Sequence, residues 1–93
     1  MQPTCVKCEV QLKPTINGAV IIETQRAKSG EDTFENRPLR IWQGDVAACP
    51  KCGAEIVALY GRTPVIEMFE PGAASRLEDL KSKARRVIYC HER

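Results

Sequence analysis

A chain of 93 residues, 43% apolar and 5% aromatic, fits one small domain with a thin core and is too apolar for a disordered segment. A formal net charge of +2 gives no general pull toward nucleic acid, although the stretch from Pro71 to Arg93 carries six Lys/Arg against three Asp/Glu. No basic region followed by an apolar run opens the sequence, and no stretch reaches the ~20 apolar residues of a membrane helix; the expectation is a cytoplasmic protein with no membrane partner.

Cys5-Val6-Lys7-Cys8 reads as a tight turn. Residues 9–12 alternate polar and apolar, as a half-buried strand does. Residues 14–18 contain Pro14, Asn17 and Gly18, which are turn residues, and residues 19–24 are rich in β-branched side chains. These two strands are predicted to pair as a hairpin. Residues 25–37 are polar around Ser29-Gly30-Glu31-Asp32 and are predicted to form an exposed loop. Residues 38–43 alternate again, with Leu39 and Ile41 on one face and Arg40 and Trp42 on the other. Gly44-Asp45 suits a bulge or turn.

Cys49-Pro50-Lys51-Cys52-Gly53 is a second tight turn, and Glu55–Tyr60 follows it as a strand. Its continuous apolar run, Ile56-Val57-Ala58-Leu59, predicts burial on both faces. Gly61-Arg62 breaks it, residues 65–69 suit one more strand, and Pro71-Gly72 closes this half. Ser75 and Glu78 match a capping box. Leu77, Leu80, Ala84, Val87 and Ile88 then keep helical spacing, which predicts an amphipathic helix of about four turns, basic toward its C-terminal end. Its apolar stripe is the natural cover for one face of the 55–60 strand.

Among five cysteines, Cys5, Cys8, Cys49 and Cys52 form two Cys-x-x-Cys pairs. Each such turn brings two sulfurs to one side of an ion, and zinc takes four ligands in a tetrahedron. Gly53 permits the positive φ that such a turn needs, Pro50 preorganises it, and Lys7 and Lys51 partly offset the charge of four thiolates. A redox pair lacks the βαβ pattern it requires, disulfides lack an oxidising compartment, and chance burial of two spaced pairs is a poor explanation. The expectation is one structural Zn²⁺, with no coordination position left open for catalysis. Cys90 and His91 stand apart: an alternative ligand, a second metal shared between chains or a reactive thiol is one reading, and a packed cysteine beside a frayed terminus is the favoured one.

Two cysteine knuckles, each followed by a strand, resemble the zinc-ribbon superfamily, with Cys49-Pro50-Lys51-Cys52-Gly53 close to its commonest knuckle. Forty residues separate Cys8 from Cys49, so the intervening chain folds as an insertion. Residues 40–45 and Val65-Ile66-Glu67 also give the chain a look similar to small zinc-ribbon proteins of bacteriophages and prophages, for which the host cytoplasm would be the setting. The resemblance implies a partner that is nucleic acid or a protein that handles it.

Two surfaces are candidates for that partner: the helix cations Lys81, Lys83, Arg85 and Arg86, and a base-stacking strand surface of Arg40, Trp42 and Arg62. The favoured readings are instead a solvated helix face and a Trp42 that fills the core or covers the zinc. No Ser–His–Asp set, phosphate loop or paired carboxylates appear, and no small-molecule substrate is evident. The expected protein is therefore no enzyme. It is a small α+β fold, with a zinc-ribbon-like antiparallel sheet over residues 1–70 and a C-terminal amphipathic helix over 71–93 packed on the same domain. It serves as a zinc-binding module for a macromolecule or, alternatively, as a phage accessory protein that inhibits a host protein. A homodimer through the C-terminal helix is a further candidate.

Overall fold

The computed structural model describes residues 2–92. Its element order is β1 (Thr4–Cys5), β2 (Val10–Gln11), β3 (Lys13–Lys28), β4 (Phe34–Ala48), β5 (Glu55–Tyr60), β6 (Ile66–Glu67), α1 (Ala73–Lys83) and β7 (Val87–Cys90). The fold is small α+β with one short C-terminal helix. β1 and β2 make a two-stranded sheet, and the other strands form a five-stranded mixed sheet in the order β5-β4-β3-β7, with β6 also on β4.

A long antiparallel hairpin of β3 and β4 is the frame, paired from Lys13↔Ala48 to Lys28↔Phe34. Two expectations fail here. The predicted hairpin between residues 9–12 and 19–24 does not form: β2 pairs with β1, and β3 pairs with β4. Pro14, Asn17 and Gly18 instead sit within β3, where the register shifts between Pro14 and Ile16 and again between Ile16 and Ala19. Gly18 takes φ 77°, and its amide donates to Asp45 Oδ1 at 3.2 Å. The turn residues are spent on a bulged strand, where an extra residue bends the ribbon without reversing it.

Residues 25–37 are the second correction, since most of them are strand. Only residues 29–33 turn, closed by the Ser29 amide donating to the Thr33 carbonyl at 3.1 Å. Both faces of this outer ribbon meet water, so no apolar alternation marks it in the sequence. Arg26 lies over the Phe34 ring, 4.3 Å from its centroid.

The larger core lies on one face of the sheet. Val20 and Ile22 of β3, Ile41 of β4 and Ile66 of β6 are buried against Ala73 and Leu77 of α1, with Met68, Leu80, Ala84 and Val87 packed around them. Residues 65–69 thus supply a strand shorter than expected, anchored by Ile66. The apolar side of α1 is buried on its own sheet, over β3, β4 and β6. It does not cover β5, and the double burial expected there is overturned: Ile56, Leu59 and Tyr60 are exposed on an edge strand.

The ends of α1 also differ from expectation. Gly72, at φ 76°, is the N-cap, no side chain among the described residues caps the helix, and Ser75 and Glu78 lie inside it. Ala73-Ala74 after Pro71-Gly72 starts the helix one turn earlier, because alanine has the highest helix propensity. At the other end Ala84 is extended, and Val87-Ile88-Tyr89 pair with β3 as a parallel strand, Val20↔Val87 to Glu23↔Cys90. These residues fit helical spacing, but β-branched and aromatic side chains gain more as a strand on an open sheet edge.

Candidate metal centre

The two Cys-x-x-Cys turns are built alike. In the first, the Glu9 amide donates to the Cys5 carbonyl at 2.7 Å; in the second, the Gly53 amide donates to the Cys49 carbonyl at 2.9 Å. The residue after each second cysteine is left-handed, Glu9 at φ 56° and Gly53 at φ 80°. The sequence announces this geometry at Gly53 and conceals it at Glu9.

β1 and β2 hold the first turn, and the junction of β4 with β5 holds the second. A second small cluster packs beneath them: Leu12, Ala47 and Cys49 are buried, with Cys5, Cys8, Val10 and Ala58 against them. The four Sγ atoms of Cys5, Cys8, Cys49 and Cys52 all lie within 4.8 Å of one another, and those of Cys5 and Cys52 are 3.8 Å apart. Sulfurs at ~2.3 Å from a central ion stand ~3.8 Å apart along a tetrahedron's edge. The spacing and the all-sulfur donor set therefore fit one tetrahedral metal ion, and these four cysteines could hold it. Forty residues of intervening chain are no obstacle, because the β3–β4 hairpin leaves from one knuckle and returns to the other.

The thiols are electrostatically unlike. The Cys49 thiol is lowered to about 6, chiefly by the Cys52 backbone amide, which donates to its Sγ at 3.5 Å. The Cys8 thiol is pushed up to about 12, chiefly by burial and then by its neighbouring thiols. Without a cation, one sulfur takes the negative charge and its neighbour keeps a proton; a divalent ion would hold all four as thiolates.

Cys90 and His91 are not part of this cluster. Cys90 is exposed on β7. His91 Nδ1 is 3.0 Å from the Oγ1 of buried Thr24, and its ring stacks on Tyr89.

Trp42 neither fills the core nor covers the cysteines. It lies on the sheet face opposite α1, where its Nε1 donates to Glu23 Oε1 at 2.9 Å and its ring meets Tyr60 edge-on at 5.7 Å. With Ile21, Val57, Tyr60 and Ile88 it lines an open groove of about 570 Å³. Tyr60 and Ile88 were missed by sequence reasoning. Arg40 and Trp42, at positions alternating with buried Ile41, are the sequence signal for this face, and both line the groove, whereas Arg62 does not.

Of the expected helix cations, Arg85 and Arg86 lie past the end of α1 at Lys83. The expected cations are mostly paired. Arg40 lies 3.6 Å from Glu23, Lys81 3.6 Å from Glu78, Lys83 3.1 Å from Asp79, and Arg86 bonds Glu55. The Tyr89 hydroxyl, then Glu78, hold the Lys81 ammonium above its usual range. Arg62 and Arg85 have no ion pair among the described residues. Among these residues no helix is long and apolar enough to cross a membrane. No protein-family model, curated protein or solved structure matches the chain, so the likeness to bacteriophage ribbons rests on its residues alone.

Proposed function

We propose that the chain is a non-catalytic zinc-binding module of zinc-ribbon type that engages a macromolecule through the sheet face opposite its helix. One observation carries this reading: four thiols from two matched turns lie within 4.8 Å of one another. Four sulfur donors suit zinc, and they fill its tetrahedron with no site left for a substrate. The role of the ion is to fix β1–β2 and the start of β5 onto the long hairpin.

The partner belongs to the class that zinc ribbons commonly meet, a nucleic acid or a protein that handles it. The pairing of Arg40, Lys81, Lys83 and Arg86 with carboxylates favours the protein, since paired cations release few counterions from a phosphate backbone. The same near-neutral aromatic face supports a second reading, a phage-encoded accessory protein that inhibits a host protein by covering its surface.

Native mass spectrometry tests the metal: the expected result is one zinc per chain, with four thiols protected from alkylation until a chelator is added. A metal-free chain with all its thiols reactive would overturn the reading. For the partner, capture with the wild type and with Trp42→Ala separates the cases. A protein retained by the first and lost by the second supports the groove, whereas a salt-sensitive shift of random DNA or RNA assigns the surface to nucleic acid.

A further inference from the structure

β5 is an edge strand whose outer backbone pairs with no other strand among the described residues. Edges of this kind are normally guarded by lysine, proline, bulges or brevity. β5 has one such device, a register shift against β4 between Asp45 and Val46. Otherwise it offers six residues, Glu55–Tyr60, with no lysine or proline and a charge only at Glu55. Leu59 is 67% exposed, Tyr60 65% and Ile56 42%. Two other open edges are unlike it. The outer β3–β4 ribbon is studded with Arg26, Lys28, Glu35 and Arg37, and β7 runs between Arg85-Arg86 and His91-Glu92.

The geometry points to a second copy of this chain as the occupant of that edge, paired β5 to β5 in antiparallel sense. Two-fold symmetry requires a self-complementary patch, and β5 meets this in two ways. Its middle is uniformly apolar, so overlap of two copies sets Ile56, Val57, Ala58 and Leu59 against the same set. Its ends are opposite in charge, with Glu55 at the start and Arg62 just past the end. Antiparallel pairing turns the Glu55 end of each copy toward the Arg62 end of the other. Parallel pairing would set like charges together. Arg62 has no ion pair among the described residues, and Glu55 has only Arg86. Backbone hydrogen bonds across the new junction supply affinity, and Leu59 and Ile56 bury exposed apolar surface. The inference does not depend on the nature of the groove's partner.

Sedimentation velocity over a wide concentration range, on the zinc-loaded full chain, tests it. The wild type is expected to shift from monomer to dimer as concentration rises. Leu59→Lys, at an exposed position, should weaken the dimer by about a hundredfold or more, since symmetry applies the change twice. Phe69→Lys, which adds the same charge at an exposed site off β5, should leave it intact. In the dimer, amide exchange along β5 should slow with rising concentration. A wild type that stays monomeric throughout overturns the inference. So does a dimer that survives Leu59→Lys, or one lost equally in Phe69→Lys. Zinc content and circular dichroism unchanged in Leu59→Lys would confirm that only the edge was altered.

Discussion

Glu9 and Gly53 occupy equivalent places after their cysteine pairs, yet only one is a glycine. Gly53 at φ 80° has open space where a Cβ would go, so Gly53→Ala meets only the backbone penalty of the left-handed region. That penalty is about 1–2 kcal/mol. Gly44 is the opposite case. A Cβ there would fall 2.5 Å from the Leu59 carbonyl oxygen and 2.7 Å from Ile21 Cδ1, and backbone cannot easily retreat. Gly44→Ala should cost about 1–3 kcal/mol by overpacking, read as a lower denaturant midpoint, and should also displace β5 chemical shifts, which Gly53→Ala leaves in place. The Glu55–Arg86 pair gives a pH test. Arg86 holds the Glu55 carboxyl below its ordinary 4.5, so its contribution is present above that value and is lost as pH falls through the lowered one. The stability gap between wild type and Arg86→Met should be steady at neutral pH, narrow below about 4.5 and close in stronger acid. A gap that persists there would assign Arg86 a packing role instead.

At the scale of elements, the outer part of the β3–β4 hairpin contains no buried residue between Gln25 and Arg37. It lies beyond Thr24, the last buried position of β3. Replacing residues 26–36 with a two-residue turn should therefore leave the melting midpoint nearly unchanged, because shortening a closed loop alters its entropy only slowly. A large loss on thermal unfolding would show that the ribbon supports the sheet. The same stretch shows where sequence reading stops. A strand with one apolar face, such as residues 38–43, announces itself by alternation, and residues 19–24, buried on both faces from Ala19 to Ile22, by a β-branched run. A ribbon wet on both faces carries no such mark. Val87-Ile88 fitted the spacing of a helix and the propensity of a strand, and only the unpaired edge of β3 decided between them. The four cysteines were legible because their chemistry depends on spacing within each turn, and the hairpin that reunites the turns needed no specific sequence. The aromatic groove was half legible: Trp42 stood out, whereas Tyr60 joins it through a pairing, Gly44↔Tyr60, that no local pattern encodes.

The molecule as a whole has two cores. The larger, under α1, is made of Val20, Ile22, Ile41, Ile66, Ala73 and Leu77 and includes no cysteine; the smaller, of Leu12, Ala47 and Cys49, is lined by the knuckles themselves. Removing the metal should therefore act unevenly. Four thiolates released together repel one another or take up protons, and the small cluster has too little apolar area to hold β1–β2 in place alone. The large core keeps its helix and its sheet contacts. Hydrogen exchange after chelation should show protection lost at residues 4–12 and 47–54 while the centres of β3 and β4 and the buried side of α1 stay slow, and added zinc should restore the first group. Uniform loss across both cores would mean that the ion supports the entire fold, as it does in the smallest zinc fingers. Uniform retention would mean that the cysteine cluster contributes nothing to folding, and the metal reading would fall with it. The uneven pattern follows from where the chain placed its isoleucines: one β3–β4 frame carries a hydrophobic core at its middle and a cysteine clasp at its end.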